Sequence, residues 1–461
     1  MTYSEFLDKK HITAQSCGFN PGESTNCSMA FEWQNDIWRW ALRKGRAALF
    51  EDCGMGKTLQ QLMWAKSVSE HTGKPVVIFA PLAVCEQTIR EAEKFGLLCE
   101  KYGSGPVQII NYERMEHVEM KNFGGVVLDE SSILKDFTSR TKQYLCEACA
   151  CVPFRLCCTA TPSPNDYTEL GNHAEFLGVM SRTEMLATFF VHDGGDTSSW
   201  RLKGHAQKAF FEWLASWACC ITSPADIGYS TQGYDLPELV TDHVEVNSEN
   251  MEDADGQMRL CAPATQTLNE RRAARRESIG VRVQKAAEIV NSSKEQYLVW
   301  CDLNDESGDL RAAIPDAVEV RGTDTPEHKT RAMMDFSNEK VRCLVSKPSI
   351  AGWGMNWQQC HNMIFVGLSD SFEAYYQAIR RCWRYGQEEK VRVTIITSEA
   401  EGAVLENIRR KQEDARKLTK ELAEHTKEII KADMNATKKM TEEYDARLHM
   451  IVPAWLKTEA A

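Results

Sequence analysis

The sequence has no run of about eighteen apolar residues, so no membrane span is expected. Its opening, "MTYSEFLDKKH", lacks the basic start and apolar stretch of a secretion signal, and none is expected. A disulfide rhythm is missing as well. The 17 cysteines are an odd number, irregularly scattered, which points to a reducing, cytoplasmic setting. Positive charge is not in excess. A net charge of −12 argues against indiscriminate coating of nucleic acid while leaving room for a local basic groove. No segment repeats another by residue identity. What remains is a chain of 461 residues with 43% hydrophobic content, enough for two or three domains with sizeable cores.

Two zones read as α/β. In the first, residues 28–180, the candidate buried strands are "AALF" (47–50), "PVVIFAP" (75–81), "VQIINY" (107–112), "GGVVLDE" (124–130) and "FRLCCTATP" (154–162). Helical patterns separate them, as in a parallel sheet. The second zone, residues 285–400, repeats the theme with "QYLVWCD" (296–302), "AVEVRG" (317–322), "VRCLVS" (341–346), "NMIFVG" (362–367) and "VRVTIIT" (391–397). An N-terminal extension (1–27) precedes them. A helical insertion or linker (181–284) separates them, holding "AFFEWLASWACC" (209–220), expected as a buried helix, and the loop-like "HDGGDTSSW" (192–200). It also holds the basic "ERRAARRES" (270–278), either a DNA grip or a solvated face. A charged helical tail (401–461) follows. Its narrow seam of Ala415, Leu418, Leu422, Ile429 and Ala436 suits packing on the body. The end, "HMIVPAWLKTEAA" (449–461), is open between a docking peptide and a segment that folds back.

Three stretches carry chemistry. "EDCGMGKT" (51–58) lies between a strand and the helical "TLQQLMWAKSVSE", which is the context of a phosphate-binding loop. Gly54 and Gly56 let backbone N–H groups approach phosphate oxygens; Lys57 supplies a charge and Thr58 a hydroxyl for Mg²⁺. The usual first glycine is absent, and Glu51 stands there. "GGVVLDESS" (124–132) ends a buried strand in adjacent carboxylates. Of these, one can reach Mg²⁺ through water, and the other can orient or deprotonate an attacking water. "YYQAIRRCWRYGQ" (375–387) reads as a helix with Gln377, Arg381 and Arg384 on one face, suited to a triphosphate.

Taken in order, these stretches resemble a superfamily-two helicase-like ATPase of the Swi/Snf type. That family's loop reads Asp-Glu-x-Gly-x-Gly-Lys-Thr, so an acidic start in place of glycine is similar to its pattern. Further likenesses are "FEWQNDIWRWAL" (31–42), "FAPLAVCEQTIREAEKF" (79–95), "NYE" (111–113), "LDESSILKD" (128–136), "TATP" (159–162), "VRGTDTPEHKTRAMMDFSN" (320–338), "AGWGMNWQ" (351–358) and "QAIRRCWRYGQ" (377–387). Two departures stand out. Ser132 replaces the histidine of the acid box, and "CCITSPADIG" (219–228) lacks the paired arginines of chromatin remodellers. The small size resembles versions carried by bacteriophages or mobile elements.

The resemblance implies two RecA-like lobes with ATP and Mg²⁺ between them. The implied nucleotide contacts are Gln34, Gly54, Met55, Gly56, Lys57 and Thr58 from the first lobe and Gly354 and Gln377 from the second. Thr58 and Asp129 are the implied Mg²⁺ ligands, and Lys57, Asp129, Glu130, Arg381 and Arg384 the catalytic set. Thr159 and Thr161 would couple nucleotide state to movement. Lys135, Arg140, Ser346 and Lys347 are the candidate nucleic-acid contacts. Trp353 and Trp357 could stack on bases, though a packed core position suits them better. "CEACAC" (146–151) with Cys157 and Cys158 raises an iron–sulfur cluster, but lacks a closed four-ligand set. The expected function is an ATP-driven translocase on duplex DNA, favoured over single strands or RNA because Swi/Snf relatives usually move without unwinding and no obvious wedge hairpin is visible. Its protein partner is not indicated. The alternatives are a strand-separating helicase, a catalytically silent nucleic-acid scaffold, and a small-molecule kinase, which leaves the second zone unexplained.

Overall fold

Strands buried on both faces form parallel sheets covered by helices, and this chain builds two of them. The computed structural model describes residues 12–22, 26–193, 196–231, 234, 236–246, 276–351, 355–369, 371–398 and 402–441. Residues 270–275 of the basic stretch, Trp353, Gly354 and the end 449–461 lie outside the described residues.

The first sheet comprises β1 (Arg46–Glu51), β2 (Val76–Ala80), β3 (Glu100–Lys101), β4 (Val107–Asn111), β5 (Gly125–Asp129), β6 (Phe154–Thr159) and β9 (Ala218–Ile221). Their order is β3-β4-β2-β5-β6-β1-β9, and every pairing is parallel. Alternate residues feed two cores. Ile78 and Cys158 face helices α1 (Glu32–Lys44), α2 (Lys57–Thr72) and α3 (Leu82–Lys94); Phe79 and Cys157 face α4 (Arg140–Ala148), α5 (Leu170–Leu177), α6 (Arg182–Phe189) and α7 (Gln207–Ala215). The "TATP" cysteines therefore point to opposite sides of one strand. Among the described residues no group of three or more His, Cys, Asp or Glu is placed to hold a metal ion.

The second sheet comprises β10 (Leu239–Val246), β11 (Tyr297–Cys301), β12 (Ala317–Val320), β13 (Cys343–Ser346), β14 (Asn362–Val366) and β15 (Val391–Ser398), in the order β10-β15-β14-β11-β13-β12 and again all parallel. Its helices are α8 (Ile279–Asn291), α9 (Asn304–Ala313), α10 (Pro326–Ser337) and α11 (Phe372–Ile379). An ion pair is sealed inside this lobe. Arg282 Nη1 lies 2.7 Å from Glu306 Oε1, and both side chains are fully buried. Glu306 Oε2 accepts the Asp302 and Leu303 amides, each at 2.9 Å. The two lobes thus have the α/β architecture expected of RecA-like domains, with a helix at the C-terminal side.

Several local expectations are corrected. The 209–220 run is not one helix: α7 stops at Ala215 and Ala218–Ile221 becomes β9, pairing with β1. A short apolar run fits either state, and the open edge of β1 decides here. Residues 181–284 accordingly supply an edge strand to each sheet, β9 to the first and β10 to the second. The 192–200 region, expected as loop, contributes to an antiparallel hairpin of β7 (Phe190–Asp193) and β8 (Asp196–Leu202) that belongs to neither sheet.

The tail helix α12 (Gly402–Thr441) has 40 residues, about 60 Å at 1.5 Å per residue. Its first turns put Val404, Leu405 and Ile408 into the second lobe's core. Leu422, Ile430 and Met434 then enter the cores of the first lobe. Polar contacts reinforce this docking: Trp40 Nε1 donates to Asp433 Oδ2 at 2.9 Å, and Tyr167 Oη to Glu421 Oε2 at 2.6 Å. Of the expected seam, Leu422 is buried, Ala415 and Ile429 pack half-buried on the cores and Leu418 is half-buried, while the Ala436 side chain lies outside the described residues; Ala423, Thr426, Ile430 and Met434 widen the seam. Glu306→Ala leaves the Arg282 charge buried without its carboxylate. We expect it to cost about 3–5 kcal/mol in urea unfolding, whereas a surface change such as Glu413→Ala does not shift the midpoint measurably.

Candidate active site

The candidate phosphate loop, residues 51–58, joins β1 to α2. Gly54 and Gly56 hold φ of 88° and 78°, which side chains with a Cβ disfavour. At Gly54 a Cβ would also lie 3.1 Å from the Tyr385 amide nitrogen, so the second lobe presses directly on the loop. Gly56 caps α2 without a side-chain bond, leaving that helix's first amides for an anion. Lys57 Nζ donates to Glu51 O at 2.8 Å and Asp52 O at 3.0 Å. Gln34 Nε2 donates to Met55 O at 2.9 Å, and its Oε1 accepts the Phe31 amide at 3.0 Å. Gln34 thus braces the loop from α1, while the Met55 side chain is packed in the core.

Asp129 ends β5 and is buried. Glu130 follows with φ 55° and ψ 55°, a left-handed conformation that strains a residue other than glycine. Its Oε2 lies 3.5 Å from Thr159 Oγ1, and the Thr161 amide donates to that same hydroxyl at 3.2 Å. The "TATP" turn is thereby tied to the second carboxylate. Burial pushes Asp129 up to about 7, helped by the Glu130 charge and opposed by Lys57. Burial also raises Glu130, with Lys57 and Arg381 opposing.

The arginine segment departs from the expected continuous helix. α11 ends at Ile379, and the Arg381 amide turns to Ala378 O. The Gln377 carbonyl, which a continuing helix would have given to that amide, instead accepts Arg381 Nε at 3.0 Å. Gln377 Oε1 accepts Arg381 Nη2, also at 3.0 Å. Gln377 is therefore a support behind Arg381 and is not among the residues lining the cleft. Arg384 Nη1 donates to Asn356 Oδ1, and burial followed by repulsion from Arg381 lowers Arg384 to about 10.

These groups meet in one cleft of about 510 Å³ between the lobes. Gln34, Gly54, Gly56, Lys57, Thr58, Asp129 and Glu130 line it from one side, and Arg381 and Arg384 from the other. Phe31, Tyr234 and Tyr385 form an aromatic rim, with Tyr234 and Tyr385 stacked at 4.7 Å. A hydroxyl at Thr58 and one buried carboxylate at Asp129 suit Mg²⁺, which takes few protein ligands and completes its shell with water and phosphate.

Residues 282–386 match the family described as helicase conserved C-terminal domain. This segment is thus similar to a helicase C-terminal domain. The match runs from α8 through Gly386 and includes Arg381 and Arg384. It marks a helicase-like protein, in general a nucleic-acid-dependent motor that uses ATP, usually with Mg²⁺. No curated protein matches the chain.

The candidate nucleic-acid contacts of this helicase-like chain are placed unevenly. Arg140 is exposed and Lys347 half-buried. Lys135, from the acid-box loop, pairs across the cleft with Glu373 of the helicase domain. Ser346 is a correction: it has no solvent exposure, and its hydroxyl is spent on Val320 O at 2.9 Å. Trp357 is likewise fully buried, donating to Ser337 Oγ at 3.0 Å. Among the described residues no helix is long and apolar enough to cross a membrane.

Two groups have contacts that the sequence did not reveal, although Glu51 and Asp52 stand out in it as the loop's acidic start. One is Asp52 with its partners Tyr376 and Arg380; only the adjacency of Arg380 to Arg381 hinted at it. The other is Glu51, fully buried at the end of β1 with Gln60 Nε2 donating to it at 2.8 Å. Burial raises Glu51 from 4.5 to about 7. The folded protein therefore holds a proton that the unfolded chain releases. The associated stability is full below the ordinary carboxylate value and is lost as pH rises through about 7. Glu51→Gln removes this loss, so its melting temperature should gain on wild type between pH 5 and pH 8; a difference constant with pH would refute the buried acid.

Proposed function

We propose that the protein is a nucleic-acid-stimulated ATPase that translocates on double-stranded DNA in the reducing cytoplasm of a bacterial or phage-infected cell. The observation that carries this reading is the shared cleft, where Lys57, Asp129 and Glu130 of one lobe face Arg381 and Arg384 of the other.

In this reading the free amides at the start of α2 and the Lys57 ammonium hold the terminal phosphates. Mg²⁺, held through Thr58 and Asp129, supplies neutralisation of phosphate charge when bound. Glu130 accepts the proton of a water that attacks the γ-phosphorus as the bond to ADP breaks. Burial raises its pKa, which makes the carboxylate a stronger base. Arg381, held by Gln377, and Arg384 stabilise charge on the transferred group, a contribution commonly worth about 10³-fold or more. Thr159 carries the state of Glu130 into the "TATP" turn, and movement of one lobe against the other would advance the motor along its track. Arg140 and Lys347 remain candidate phosphate contacts, and binding through them should weaken as salt rises.

Preference for duplex rests on the Swi/Snf resemblance. A second reading, strand separation, is favoured by the β7–β8 hairpin, which stands outside both sheets with Val191 exposed and His192 packed on Trp200. ATP turnover measured side by side with duplex DNA, single-stranded DNA and RNA tests the substrate. Triplex displacement without strand displacement supports translocation, and the reverse supports unwinding. Lys57→Ala, Glu130→Gln and Arg384→Ala should each reduce stimulated turnover by about 10³-fold or more. Wild-type rates in any one would remove that residue from the mechanism. No hydrolysis by wild type at saturating DNA would favour a silent scaffold.

A further inference from the structure

A second charged contact crosses the cleft, and it involves neither Arg381 nor Arg384. Arg380 Nη2 lies 2.5 Å from Asp52 Oδ2, and the Tyr376 hydroxyl donates to Asp52 Oδ1. The Arg380 side chain is only 6% exposed, with Trp383 stacked 4.5 Å from its guanidinium. Asp52 belongs to the phosphate loop itself. Its Oδ1 also accepts the Cys53 amide at 2.7 Å, and its carbonyl holds Lys57 Nζ at 3.0 Å. One residue thus joins the second lobe's arginine turn to the lysine of the first lobe's loop.

We propose that Arg380 and Tyr376 are positioning residues that sense lobe closure by clamping Asp52, and so set the shape of the phosphate loop and the place of the Lys57 ammonium. This inference rests on the reading of the cleft as an ATP site. The clamp forms only when the lobes dock. Parted, Asp52 and Arg380 return to water, and the loop keeps only its internal bonds. Docked, a buried guanidinium requires its carboxylate, because a desolvated charge without a partner is costly. The contact therefore concentrates the energetics of docking on the turn that holds Lys57. Tyr385, whose amide faces Gly54, presses on the same turn from beside it. Arg381 and Arg384 reach the reacting phosphate in the proposed mechanism, whereas Arg380 acts through Asp52.

The test compares Arg380→Ala, Arg380→Lys, Asp52→Asn, Tyr376→Phe and the double variant Asp52→Asn/Arg380→Ala in the full chain. Two readouts are used: duplex-stimulated ATP turnover, and amide hydrogen exchange of residues 51–58 with a non-hydrolysable ATP analogue bound. We expect kcat to fall at least tenfold in Arg380→Ala and Asp52→Asn with a smaller change in KM. Arg380→Lys should recover part of the loss, and the double variant should be no worse than the poorer single one. Exchange at 51–58 should quicken several-fold while β4 and β11 stay protected. Multiplying losses in the double variant, or unchanged exchange at 51–58, would overturn the clamp. Tyr376→Phe removes one hydroxyl only, and keeps the test decisive if Arg380→Ala fails to fold. An inactive wild type would count against the ATPase reading alone, because the exchange measurement tests the clamp without turnover.

Discussion

The cleft depends on one mechanical constraint: two parallel sheets present strand ends to each other while a single long helix is built into the cores of both. α12 contributes Val404, Leu405 and Ile408 to one lobe and Leu422, Ile430 and Met434 to the other. A helix resists bending over a span of this length, so the lobes cannot separate freely. Relative motion has to be accommodated by pivoting about the helix or by local yielding where it leaves one core for the other, near residues 409–421. The direct connection between β9 and β10 is the other covalent tie.

Inside that frame the chemistry is electrostatic. Glu51, Asp52, Asp129 and Glu130 come from strand ends of the first lobe, and Lys57 stands among them. Arg380, Arg381 and Arg384 come from one short turn of the second. Burial, the largest cause in each case, raises Glu51, Asp129 and Glu130 and lowers Arg381 and Arg384, while Glu130 and Arg381 partly relieve each other across the lobes. The attraction between the lobes thus involves the same groups that would act on a phosphate chain. An anion of several charges placed between them changes the balance for both lobes at once, which is what a nucleotide-driven motor requires.

The helicase-like assignment rests on the match at residues 282–386. The match lies within the second lobe, short of β10 and β15, and the candidate phosphate loop lies in the first. Their meeting in one cleft is a property of neither segment alone.

Much of this was legible in the chain. The ten strands anticipated from apolar runs all form, because a run apolar at successive positions is satisfied by a sheet covered on both faces. The loop at 51–58 and the carboxylates at 129 and 130 could be read from residue type at a strand end. What sequence alone could not decide were contacts that join distant residues. β9 exists because β1 has an open edge, a fact about the sheet and not about "ACCI". The arginine helix ends at Ile379, where the Arg381 and Cys382 amides turn to carbonyls three residues back and the Gln377 carbonyl accepts the Arg381 guanidinium. Ser346 is unavailable to nucleic acid because it is buried with its hydroxyl bonded to Val320 O. Local pattern determined ten of the strands and the loop at 51–58, but not β9, the β7–β8 hairpin or the end of α11. Only tertiary packing decided which charged groups meet, since ion pairs depend on separation in space and Asp52 and Arg380 are close only once both sheets and the helix between them are in place.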